Sequence, residues 1–158
     1  MAFAALMAAL AVVFLYLTAV LPTGGLAFSA VAAVCTAVVF TEHGPGWAAA
    51  HYAVTALLAM LLVPDKTYVL WYVLALGHYS ILKLLIERCR RRWLCWLMKL
   101  AVFAVSMAAL LWLLTAAFVQ YLPMQGPVLA VVLTVVFIVY DIGLTGVLRY
   151  YRSRVRHK

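Results

Sequence analysis

The chain has 158 residues, 70% hydrophobic and 10% charged, with a formal net charge of +8 and a mean hydropathy of +1.14. A soluble domain of that length would leave far too much apolar surface in water, so the composition points to an integral membrane protein with little chain left over for a soluble domain. The basic residues form two short clusters beside apolar spans, not a basic and aromatic polar face, which sets nucleic-acid binding aside and fits anchoring to anionic lipid.

The first apolar run predicts a helix over about Ala2–Leu21, stopped by Pro22 and the Gly24-Gly25 pair. It has no basic leader and no Ala-x-Ala site where the run ends, so it reads as a retained helix and not a cleaved signal. Ala4 and Ala8, and likewise Ala5 and Ala9, repeat four residues apart, a spacing that lets another helix approach closely, inside this protein or outside it. A second helix is expected over about Leu26–Thr41, short for a full span unless the turn residues complete it or it lies nearly upright, and closed by Glu42-His43-Gly44-Pro45-Gly46. The third runs from about Gly46 to Val63, with a small-residue face at Ala49, Ala53 and Ala56. Its His51 and Tyr52 lie one and a half turns inside, where a lone histidine reads first as a structural hydrogen bonder.

The fourth stretch organises the rest. After Pro64-Asp65-Lys66, residues Thr67 to Glu87 make 21 mostly apolar positions, about 30 Å of helix and so about the thickness of a bilayer core. Arg88-Cys89-Arg90-Arg91-Arg92-Trp93 follows. Tyr68, Tyr72, Tyr79, Lys83 and Glu87 fall within an arc of roughly 100°. Such a stripe is expected to face other helices or a polar cavity, with a Lys83 snorkel to the headgroups as the plainer account. A fifth helix is expected over about Leu94–Phe118, with Trp93 and Trp96 at its entrance. An outer loop over Gln120–Pro127 leads to a sixth helix, about Val128–Leu148, that carries Asp141 two turns from its basic end. The segment 149–158 reads as a basic cytoplasmic tail after a single transmembrane domain, 1–148.

Six spans place both termini on one side, together with ten of the twelve Lys and Arg residues. The expected architecture is therefore an all-α, polytopic bundle of six transmembrane helices, N-in and C-in, in the cell (inner) membrane. In that topology Glu42, His51, Lys83, Glu87, Lys99 and Asp141 form an inner polar cluster. Asp141 lies too deep to stand alone, so Lys83 or Lys99 is its expected partner. The cluster reads either as a packing lock or as a conformational latch. At the outer side Asp65, Tyr68, Trp71 and Tyr72, with Gln120 and Tyr121, suit the lining of a small-molecule pocket and equally an aromatic belt. No paired carboxylates, His-x-x-x-His or Gly-x-Ser-x-Gly point to an enzyme. Cys35 reads as a buried small residue, and Cys89 and Cys95 lack the histidines of a metal site; no cofactor is expected.

The order of features resembles the substrate-binding S components of energy-coupling factor (ECF) vitamin transporters: six helices in a chain of this size, an Ala-x-x-x-Ala pair early in helix 1, and Gly44-Pro45-Gly46 opening helix 3. The resemblance implies that Ala4, Ala5, Ala8 and Ala9 meet a transmembrane coupling protein, that ATPases outside the chain supply energy, and that the outer residues bind a vitamin or precursor. The sequence departs from that pattern in its strong inner polar cluster and short outer loops. A non-transporting scaffold that binds another membrane protein stands beside this reading. A proton-coupled carrier using Glu42, His51, Lys83 and Asp141 is a third, without the repeats or broken helices of carriers.

Overall fold

The computed structural model describes residues 2–21, 23–87, 92–117 and 126–155. All regular structure in them is helical: α1 (Ala2–Val20), α2 (Gly25–His43), α3 (Pro45–Leu62), α4 (Lys66–Ile86), α5 (Arg92–Ala117) and α6 (Gly126–Val155). Among the described residues five helices are long and apolar enough to cross a membrane, namely α1, α2, α3, α4 and the Thr134–Tyr151 part of α6; the corresponding stretch of α5, Trp93–Ala109, is shorter. The chain divides into two compact units, residues 1–111 and 112–158.

In the first unit α2 is the hub. It packs on α1, on α3 and along the whole of α4. Its small residues make that possible: Gly25, Ser29, Ala32, Ala33, Thr36 and Ala37 are all buried, and short side chains let neighbouring backbones approach where no water drives helices together. The outer helices each bury one stripe. On α1 it is Ala4, Ala8, Ala11, Leu15 and Thr18, alternating three and four residues apart as one helix face requires. On α3 it is Ala48, His51, Thr55 and Ala59, while Val54, Leu57, Leu58, Leu61 and Leu62 are exposed. That pattern is inverted relative to a water-soluble helix, with hydroxyl and imidazole inside and leucines outside, an arrangement compatible with a lipid surround.

The turns follow from local chemistry. Gly44 takes φ +85°, its N–H bonds the Phe40 carbonyl at 3.0 Å, and Pro45 then starts α3. Only glycine adopts that backbone without strain. Phe3 stacks on His43 with 5.7 Å between ring centroids, which sets the start of α1 beside the α2–α3 turn. At the opposite end Asp65 caps α4 by accepting from the Thr67 N–H at 2.9 Å. Lys66 donates to the Met60 and Val63 carbonyls at the end of α3, filling orphan acceptors there.

α2 is a full 19 residues, completed by Glu42 and His43 of the turn up to the Gly44 stop. Two expectations need adjustment. α4 is not uniformly α-helical: Tyr72–Gly77 form a π-helical turn. In the second unit α6 continues to Val155, through most of the segment expected as a separate tail. Its buried residues Phe137, Asp141, Leu144 and Leu148 lie on one stripe.

Candidate functional site

The interior of the first unit holds a connected polar cluster built by three helices. Thr36, on the hub helix, is fully buried. Its hydroxyl lies 3.1 Å from the Tyr72 hydroxyl of α4 and 3.3 Å from Nδ1 of His51 on α3. At 1.5 Å per residue Thr36 sits about 16 Å from the start of α2 and about 10 Å from its end, so the cluster lies in the body of the span. Thr55, one turn beyond His51, lies buried on the same stripe.

The π turn shapes one wall. Widening a turn to the i→i+5 pattern leaves a carbonyl open to other donors, and such turns recur at functional sites. Here the carbonyl is Val73, which accepts from the Tyr52 hydroxyl at 2.8 Å and from His78 Nδ1 at 3.2 Å. The Tyr52 ring lies 6.0 Å from that of Tyr72. Gly77 permits this approach, because a Cβ there would fall 2.8 Å from the Tyr52 ring and 2.9 Å from the Tyr72 carbonyl oxygen. His78 Nε2 meets the Ser106 hydroxyl of α5 at 2.9 Å, and that hydroxyl also reaches the Val102 carbonyl at 2.7 Å. Polar groups in this interior are thus tied across four helices, which an apolar surround makes costly to break.

The residues singled out in the sequence divide among several places. Of the inner set, His51 belongs to the central cluster. Glu87 is exposed at the end of α4 and forms an ion pair of 2.9 Å with Lys99, whose Nζ also lies 5.8 Å from the Trp96 ring centroid. Lys83 is wholly buried on α4, and Glu42 is exposed at the end of α2. Asp141 lies on the buried stripe of α6, its backbone carbonyl accepting from the Thr145 hydroxyl at 2.7 Å. Of the outer set, Tyr72 is joined to His51 of the inner set through Thr36. Asp65 is occupied as a helix cap. Tyr68 and Trp71 are half-buried, and the Tyr68 carbonyl accepts from Ser29 at 3.3 Å. Gln120 and Tyr121 lie outside the described residues, as do the basic positions 88–91. Ala4 and Ala8 are buried within the bundle, whereas Ala5 and Ala9 are exposed.

Sequence reading missed Thr36, Thr55 and Ser106. The available signal was that Ser29 and Thr36 stand seven residues apart on one face of an apolar helix, as do Thr55 and His51 at four. Among the described residues no three His, Cys, Asp or Glu side chains gather where they could hold a metal ion. No protein-family model, curated protein sequence or solved structure matches the chain.

Proposed function

We propose that the chain is a polytopic membrane protein of S-component type, which captures a small organic solute within its helix bundle for uptake with an ATPase module outside the chain. In this reading it crosses the inner membrane six times, with both termini in the cytoplasm. The observation that carries it is the central cluster: the Thr36 hydroxyl links the His51 imidazole to the Tyr72 hydroxyl, with Thr55 buried one turn from His51, inside the helical core beside a π turn. A few convergent polar groups among aromatic and apolar walls are what a small-molecule site in a bundle uses. The lack of polar partners for two of those groups, described below, argues against a merely structural lock.

Partnering with a coupling protein is part of the proposal, and α1 divides its alanines in a way that suits it. Ala4 and Ala8 serve the bundle, leaving Ala5 and Ala9 on the outer face. Co-purification of the tagged chain from its own membrane tests the assignment. The expected result is recovery with a membrane coupling subunit and ATPases, lost in Ala5→Leu/Ala9→Leu, which leaves the fold intact. Recovery without such subunits would set this role aside.

A second reading, a non-transporting scaffold for another membrane protein, is favoured by one observation. Four charged residues toward the ends of the first unit are occupied in local structure: Asp65 and Lys66 as caps, Glu87 and Lys99 as a clasp between α4 and α5. Co-purification with an unrelated membrane protein, and with no small molecule, would decide for it.

A further inference from the structure

The buried stripe of α3 carries two polar side chains, His51 and Thr55, one turn apart on the same side of the helix. Both are closed off: His51 is 4% exposed and Thr55 0%. Yet His51 Nε2 and the Thr55 hydroxyl make no hydrogen bond. The Met7 carbonyl of α1 faces the imidazole and the Tyr72 phenol faces Thr55, but neither closes a bond of normal geometry on these two atoms. Leaving a buried polar group unmet is costly, and the protein holds two of them one turn apart on α3.

The proton arrangement says what they would take. Thr36 has one hydroxyl proton and stands between the Tyr72 hydroxyl and His51 Nδ1. With Thr36 donating to Nδ1 and Tyr72 donating to Thr36, the neutral imidazole carries its proton on Nε2. The cluster then presents an N–H and a hydroxyl, both able to donate. None of its members carries a fixed charge, so an ion brought there would have no counter-charge, whereas a neutral oxygen needs none.

We infer that His51 Nε2–H and the Thr55 hydroxyl together bind an uncharged acceptor oxygen, belonging either to water or to a carbonyl or hydroxyl of an organic solute. A water bridging two or more such groups is as good a partner as a direct bond. The solute alternative rests on the capture reading above; the water alternative does not.

The test uses the full chain in lipid nanodiscs with 15N-labelled histidine, and water as the probe. Magnetisation transfer from water to the His51 Nε2 proton is measured in the native chain, in Thr55→Val and in the conservative Thr55→Ser. Native mass spectra of the same samples, and of His51→Phe, record any retained small molecule. Water transfer without a retained solute, weakened in Thr55→Val and kept in Thr55→Ser, supports the inference and removes the capture reading. A retained solute whose occupancy falls about tenfold in Thr55→Val, the effect of one lost hydrogen bond, and also falls in His51→Phe supports both. A retained solute indifferent to Thr55→Val keeps the capture reading and overturns the inference. No water transfer and no solute overturns both.

Discussion

Removing the Thr36 hydroxyl is the sharpest perturbation of the core. Thr36→Val keeps the branched shape of the side chain, so its effect reports the hydroxyl and not a cavity. The hydroxyl makes two contacts, to Tyr72 at 3.1 Å and to His51 at 3.3 Å. Interhelical hydrogen bonds inside membranes are worth on average about 0.6 kcal/mol each, so the two together contribute about 1.2 kcal/mol. The variant also strands polar atoms on α3 and α4 in a buried site. Stranding one costs about 1–3 kcal/mol, offset where Tyr72 turns to Thr55. The expected destabilisation is thus about 1–3 kcal/mol, measured by reversible denaturant titration in bicelles. Tyr72→Phe removes one of the two bonds. If the cluster is connected, the double variant loses less than the sum of the singles, by about 0.6 kcal/mol or more. A Thr36→Val variant as stable as the native chain, or strict additivity with Tyr72→Phe, would refute the connected network.

Further outcomes follow from other contacts. Gly77→Ala forces a methyl against the Tyr52 ring and the Tyr72 carbonyl and is expected to cost about 1–3 kcal/mol in the same titration. Gly46→Ala, where nothing lies within 4 Å of the added carbon, is expected to be neutral or to stabilise by up to about 1 kcal/mol. Asp65→Ala removes the α4 cap and should cost about 1 kcal/mol, whereas Asp65→Asn should recover most of it; solute occupancy in native mass spectra should not change in either. Lys99→Ala breaks the ion pair with a partly exposed Glu87, so its cost should stay below about 1 kcal/mol and shrink at high salt.

The helices themselves were legible because a membrane span needs a long apolar run, and five described helices are long and apolar enough to cross a membrane. The polar stripe of α4 was legible in part: Tyr72, Tyr79 and Lys83 are buried, whereas Tyr68 is half-buried and Glu87 is exposed at the end of the helix. The π turn was not legible, since its cause is tertiary. The Tyr52 ring seats on Gly77 and its hydroxyl claims the Val73 carbonyl, and nothing in the local sequence marks the extra residue. The central cluster was only half visible. His51 and Tyr72 stood out, but counting depth along each helix assigned them to opposite ends of the bundle. Their long side chains and Thr36 between them close that distance. Thr36 and Thr55 were overlooked because a threonine in an apolar helix passes for a small packing residue. Asp65 invited a ligand-binding role that the unsatisfied N–H groups of a helix start already fill.

Native mass spectrometry of the native chain, gently extracted from its own membrane, tests solute capture most directly. The account predicts an added mass of an uncharged organic molecule that survives extraction and is released as the bundle is unfolded. A chain that travels bare, or with another membrane protein alone, would contradict it.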